Sequence, residues 1–220
     1  MAQERSEAIV IRGVDFSETS RIVTMLTPIR GKMACMASGA KRPKSALAGM
    51  LDTFNRLEIV YYWKDGRGIQ RLAEASLLNG YGPIKSNLEK SVFAALPLEF
   101  AYKVAQENEP SQALFEALVT GLDDLEQWDG PVRTHATWQL LRLLSAAGFE
   151  PDLSSADAFD EGERVRTGSA EMDEFRALSA SGASCPYRQD TRRAFVALRR
   201  YILRHIDSEF RSLRVIDQMY

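Results

Sequence analysis

The spacing of apolar and polar positions changes period once along the chain. From residue 8 to residue 75 the period is two. "EAIVIRG" (7–13) is a short β-branched run, and "SRIVTMLTP" (20–28) sets Ile22, Thr24 and Leu26 against Val23 and Met25. "GKMACMASG" (31–39) sets Met33, Cys35 and Ala37 against Lys32, Ala34 and Met36. "RLEIVYYW" (56–63) sets Leu57, Ile59 and Tyr61 against Glu58, Val60 and Tyr62, and "GIQRLAEA" (68–75) reads as a fifth run. Alternation over β-branched and aromatic residues predicts half-buried strands, and "TPIRGK" and "KDGRG" supply turns between them. Five short strands with no helical pattern among them fit a small closed or partly open barrel.

After "NGYGP" (79–83) the period becomes 3.6. Ser86 and Glu89 have the spacing of a capping box. Leu88, Val92, Leu96, Phe100 and Val104 follow as a stripe, with Pro97 expected to kink the helix. A second helix is predicted over 111–127, with Leu114, Leu118, Leu122 and Leu125 inward. A third opens at Pro131, taken as its first helical residue, passes Trp138, Leu141 and Leu144, and stops at Gly148. Residues 151–185 are polar and read as a surface insertion with one short helix at 170–179. Asp190 is placed to cap a last helix reaching His205. Phe195, Leu198 and Ile202 form its apolar stripe, and Arg192, Arg193, Arg199, Arg200 and Arg204 lie opposite. The expectation is a two-domain α+β chain: a β domain over 1–80, then a helical domain over 81–220.

Hydrophobic residues make up 45% and charged residues 26%, which fits a globular protein. No apolar stretch approaches a membrane span and Met1–Glu7 is polar, so a cytoplasmic location is expected. The formal charge of -2 hides an asymmetry. Residues 1–80 carry 12 Lys and Arg against 8 Asp and Glu, and residues 81–220 carry 16 against 22. Seven of those cations lie between Arg12 and Lys44, and three (Lys41, Arg42 and Lys44) fall within "SGAKRPKSALAG". A basic block in an acidic protein is a candidate site for a polyanion.

No nucleophile–base pattern and no metal-ligand spacing stands out. The two histidines, His135 and His205, sit apart on helices, and Cys35 reads as a small buried hydrophobe. This lowers the case for an enzyme. Binding chemistry is better supplied. Arg12, Arg21, Lys32, Lys41, Arg42, Lys44, Arg67 and Arg71 can neutralise phosphates, and Phe16, Phe54, Tyr62 and Trp63 are candidate stacking surfaces for bases. A protein-interaction scaffold built on a basic barrel remains the alternative.

Residues 7–62 closely resemble the N-terminal domain of the bacterial RecO family of recombination mediators. The resemblance rests on "SETSRIV", on "GK" at 31–32, and on "GAKRPKS" followed by "LAG" and "FN.LE". It continues more loosely through "LLRLLSAAGFEPDL" (140–153) and "LRRYILRHIDSEFRSLRVI" (198–216). It implies an OB-fold barrel followed by an α-helical domain and a non-enzymatic role. Family members bind single- and double-stranded DNA and anneal strands. With RecR, they help RecA replace single-strand-binding protein. The helical domain of the family holds the acidic C-terminal tail of single-strand-binding protein. Leu141 and Arg192 match that pocket, and Thr137 stands where a basic residue is expected. Many relatives carry a four-cysteine zinc site after "PDL". Here Ala156 and Phe159 stand near the first pair, and Cys185 and Arg188 near the second. One thiolate cannot make a four-ligand site, so no zinc cofactor is expected.

Overall fold

The computed structural model describes residues 2–160, 167–179 and 182–220. The period-two half forms five strands: β1 (Ala2–Asp15), β2 (Arg21–Thr27), β3 (Gly31–Ala37), β4 (Arg56–Trp63) and β5 (Ile69–Asn79). They close into a barrel in the order β1-β2-β3-β5-β4. All pairs are antiparallel except β3 with β5, where Ala34, Cys35 and Met36 run parallel to Ile69, Gln70 and Arg71. A closed five-stranded barrel with this order has the OB-fold topology. Closure explains why β1 is much longer than the apolar run suggested. One half pairs with β2 and the other with β4, so even the polar "QERS" has a ladder to join.

Inward positions follow the predicted alternation. Ala8 and Val10, Val23 and Met25, Met33 and Cys35, Leu57, Ile59 and Tyr61, and Leu72 form one core. The 18-residue connection from β3 to β4 contributes Ala40 and Leu51 to that core, with Leu47 and Met50 packed against it. Successive reverse turns fold this connection (Arg42 N to Gly39 O, Ser45 N to Arg42 O, Ala48 N to Ser45 O). The Asn55 amide fastens it by donating to the carbonyls of Gly49 and Met50 at 3.2 and 2.9 Å.

The chain divides into two compact units, residues 1–81 with 105–116, and residues 82–104 with 117–220. Segment 105–116 therefore groups with the barrel, although its sequence reads as part of the helical half. The reason is local. Backbone bonds join Lys32 N to Gln106 O, Asn108 N to Lys32 O, and Ser111 N to Pro28 O. Gly31 makes room for it, with φ of +55° and an added Cβ only 2.3 Å from the Glu109 carbonyl oxygen.

The later elements are α1 (Gly82–Ser86), α2 (Leu88–Val104), α3 (Gln112–Gln127), α4 (Val132–Ala146), α5 (Asp157–Asp160), α6 (Ser169–Ser179), α7 (Arg192–His205) and α8 (Arg211–Met219). Several details differ from the sequence reading. Asn87, not Ser86, caps α2, accepting from Lys90 N at 3.0 Å. Leu88 is exposed, and the buried face runs through Phe93, Leu96, Pro97 and Phe100. Pro131 is the N-cap of α4 rather than its first helical residue. Thr191 takes the N-cap position of α7, because the Asp190 carboxylate is engaged by Arg133 at 2.9 Å. The 151–185 region is more than a surface insertion. Phe159 stacks on Phe175 at 4.5 Å and meets Tyr201 at 5.5 Å, and Met172 and Leu178 are buried beside them. Residues 161–166 and 180–181 of that insertion lie outside the described residues. The short α8 escaped the sequence reading. The Glu99 carboxylate caps it, accepting from Arg211 N, Ser212 N and Ser212 Oγ at 3.0, 2.8 and 2.7 Å.

Candidate nucleic-acid interface

The site grows out of the β3–β4 connection. Gly39, at φ of +72°, turns the chain away from β3. Ala40 and Leu47 then go inward, and Lys41, Arg42 and Lys44 are left exposed. Lys41 N donates to Thr19 O at 3.0 Å, so the connection is tied to the β1–β2 turn. Lys41 Nζ meets Asp15 Oδ2 at 2.8 Å, and this hydrogen bond holds the Asp15 carboxyl below the ordinary carboxylate range.

The register sorts the eight candidate cations. Arg21 pairs with Ala37, whose side chain is in the core, so Arg21 sits at the barrel end closed by the connection, together with Lys41. Arg71 pairs with Met36 and Tyr62 on the outer face near that same end, its guanidinium 5.5 Å from the Tyr62 ring centre. Arg12 stands mid-strand on the outer face, in a row with Thr24, Ala34 and Ile69. Lys32 lies at the other end of β3, about 17 Å along the strand from Ala37. Arg67 precedes β5 and also belongs toward that end, because β5 begins opposite Ala34. The structure thus brings Arg21, Lys41, Arg42, Lys44 and Arg71 to one end and leaves Lys32 and Arg67 apart.

The aromatic candidates divide too. Phe16 is 63% exposed and Tyr62 is partly exposed. Phe54 and Trp63 are buried. Trp63 packs under the Arg30 guanidinium at 4.1 Å and donates from Nε1 to Asp65 at 2.6 Å. Arg30, counted in the basic block, is itself consumed by Glu4, with contacts of 2.6 and 3.1 Å. That pairing holds Glu4 below its ordinary range and raises Arg30. Sequence reasoning also missed Val14 and Ile69, exposed apolar residues on the outer face, and the carboxylates Asp15 and Asp52 beside the cations. Such juxtapositions have no local signal.

In the helical unit Leu141 is buried in α4, and Arg192 is exposed at the start of α7. Arg192 lines a groove of about 400 Å³ with Arg193, Val196, Ala197 and Arg200 of α7 and with Glu171 of α6. Leu141 is not among its lining residues. Thr137 is buried, its hydroxyl donating to Arg133 O at 2.9 Å and meeting the Thr191 hydroxyl at 3.2 Å. The arginines of α7 are divided among tasks. Arg193 faces Glu171 at 3.7 Å, Arg199 pairs with Asp217, and Arg204 donates to the carbonyls of Ala158 and Phe159 at 3.3 and 3.4 Å.

Cys35, Cys185 and His135 are buried, whereas His205 is exposed. Burial pushes the Cys35 thiol up to about 12 and the Cys185 thiol up to about 11. Burial pushes the His135 imidazole down, and its Nε2 lies 3.3 Å from Asp124. His205 Nδ1 meets Tyr201 O at 2.9 Å. Arg188 covers the Trp128 ring at 4.3 Å and pairs with Asp129. Among the described residues, no group of three or more His, Cys, Asp or Glu is placed to hold a metal ion. No described helix is long and apolar enough to cross a membrane.

These features define a class: an OB-fold barrel with a basic connection at one end, followed by a helical region. Comparison with known proteins makes the class specific. The family described as "Recombination protein O N terminal" matches residues 1–81, and "Recombination protein O C terminal" matches residues 85–158. Curated proteins named DNA repair protein RecO align at about 30% identity. The one from Salinibacter ruber is 31% identical over 147 residues, covering 67% of this chain and 56% of its own length. Those from Anaeromyxobacter dehalogenans and Exiguobacterium sibiricum are each 32% identical, covering 70% and 69% of this chain and 61% and 59% of their own. The chain therefore spans less than two thirds of the length of these relatives. It belongs to the RecO family.

Proposed function

We propose that this protein acts in DNA repair and homologous recombination as a non-enzymatic mediator. It binds single- and double-stranded DNA at the barrel end that carries Lys41, Arg42 and Lys44, and it anneals complementary strands. With RecR it helps load RecA onto DNA coated by single-strand-binding protein, in the bacterial cytoplasm. The helical unit takes the acidic tail of single-strand-binding protein, with Arg192 offering a guanidinium to a terminal carboxylate.

One observation carries the DNA reading. The β3–β4 connection anchors Ala40, Leu47, Met50 and Leu51 on the core while holding three exposed cations outward. A core-anchored loop presents its charges without the entropy cost of ordering its backbone on binding. The partly exposed Tyr62 and exposed Phe16 add faces on which bases can stack. The family relation supports the wider role.

The test is fluorescence anisotropy with a labelled oligo-dT and a labelled duplex, against the chain and against a variant carrying Lys41→Glu, Arg42→Glu and Lys44→Glu. Binding by the wild type that the variant loses is the expected result. An unlabelled acidic peptide serves as the second ligand. Tight peptide binding with no DNA binding at low salt would favour the scaffold reading instead.

A further inference from the structure

The cations at the barrel end are unequal. Among the described residues, no carboxylate pairs with Arg42 or Lys44, whereas Lys41 and Arg21 converge on one carboxylate. Lys41 Nζ stands 2.8 Å from Asp15 Oδ2, and Arg21 Nε stands 4.0 Å from Oδ1 of the same group. Arg21 Nη1 also lies 3.7 Å from Asp52 Oδ1. The Asp15 side chain is 62% exposed, so this anion faces water between two cations and is not a buried structural pair.

Two features show that the arrangement is built into the fold. The first is Gly13. A Cβ there would lie 2.5 Å from Arg21 Nε and 2.7 Å from its Cζ, so only a bare Cα lets the guanidinium lie across β1 toward Asp15. The second is the backbone bond from Lys41 N to Thr19 O, supported by Lys41 Nζ donating to Ser17 O at 3.5 Å. These contacts hold Lys41 at the β1–β2 turn independently of Asp15.

Given the reading that this end of the barrel binds nucleic acid, we infer that the Asp15 carboxylate occupies a phosphodiester position. It is a resident competitor that a backbone phosphate displaces to reach Lys41 and Arg21. Asp15 accepts a hydrogen bond from Lys41 and faces Arg21 only as an ion pair, and a phosphate oxygen can accept from the N–H groups of both. Exposed ion pairs are weak, so the exchange costs little. A single small anion gains little by it. A polyanion gains more, because its neighbouring phosphates also meet Arg42 and Lys44. Asp15 thus sets a threshold that favours a phosphate chain over isolated anions.

The experiment is oligo-dT binding across a salt series by wild type, Asp15→Asn, Glu18→Gln, and the double variant Asp15→Asn/Lys41→Met, each checked by thermal melting. Asp15→Asn is nearly isosteric and exposed, so its melting should match wild type. It should bind about two- to five-fold tighter at about 0.1 M salt, with a slope near wild type because the same phosphate contacts form in both. Lys41→Met should erase that gain, and Glu18→Gln, an exposed carboxylate in the same turn, should leave affinity near wild type. Unchanged or weaker binding by Asp15→Asn, or an equal gain from Glu18→Gln, would overturn the inference while leaving DNA binding intact. No binding by wild type or any variant at low salt would instead overturn the nucleic-acid reading, and this inference with it.

Discussion

Replacing Gly13 with alanine separates the fold from the site. Gly13 lies outside the left-handed backbone region, so alanine introduces no φ strain there. Its smaller unfolded-state freedom would stabilise the chain by about 0.4–1 kcal/mol. The new Cβ would meet Arg21 Nε at 2.5 Å and Cζ and Nη2 at 2.7 Å. Those atoms end a flexible side chain, so the guanidinium swings away and loses Asp15 and Asp52, which stood at 4.0 and 3.7 Å. Pairs this long and exposed contribute little. Net stability should therefore stay within about 1 kcal/mol of wild type. Binding should not. Losing one phosphate contact lowers the single-strand salt slope by about 0.7, which is about five-fold in affinity at 0.1 M salt relative to 1 M. Urea unfolding followed by circular dichroism measures the first quantity, and oligo-dT anisotropy across salt measures the second. A wild-type affinity and slope would refute the placement of Arg21, and a stability loss above about 2 kcal/mol would refute the claim that only a side chain moves.

Three further outcomes follow from the packing and the ion pairs. Leu51→Ala should cost about 2–5 kcal/mol in urea unfolding, because this loop residue is part of the barrel core. A cost under about 1 kcal/mol would mean that the connection is merely draped over the barrel. Glu4 is held below its ordinary value near 4.5 chiefly by its hydrogen bond from Arg30. It therefore contributes stability above that value and loses it as the pH falls through the depressed one. The stability gap between wild type and Glu4→Gln should be constant above about pH 5.5 and should shrink toward pH 3. A gap that widens on acidification would contradict the pairing. Burial alone would raise the Glu99 carboxyl, but the hydrogen bonds from Ser212 and Arg211 outweigh it and hold it low. Glu99→Ala should cost about 1–2 kcal/mol and speed amide exchange at the start of α8, and unchanged exchange at Ser212 would dismiss its capping role.

The barrel was legible because alternation is local. Each of the five apolar runs lies within an observed strand or its flanking residues, and Cys35 is buried where the alternation put it. What was not legible depends on partners distant in sequence. The extension of β1 through Ser6, Arg5 and Glu4 follows from pairing with β4, with Arg5 meeting Val60 and Glu4 meeting Tyr61. Phe159 and Phe175 are isolated aromatics in a polar stretch, and only their mutual stacking makes them a core. The nine-residue α8 is too short for a periodic signal, and its cap comes from Glu99 on another helix. At the site, sequence charge found the Lys41, Arg42 and Lys44 cluster. It could not separate Lys32 from that cluster, because register decides the ends of a strand. Nor could it find Asp15 against Lys41, which are 26 positions apart.

The central claim is that the β3–β4 connection carries phosphate contacts, and the salt slope of oligo-dT binding tests it most directly. The variant Lys41→Met/Arg42→Met/Lys44→Met should have a slope lower than wild type by about 2, at about 0.7 per contact. A matched variant of α7, Arg192→Met/Arg193→Met/Arg200→Met, should leave the slope near wild type. A full wild-type slope in the connection variant, or an equal fall in the α7 variant, would contradict the account.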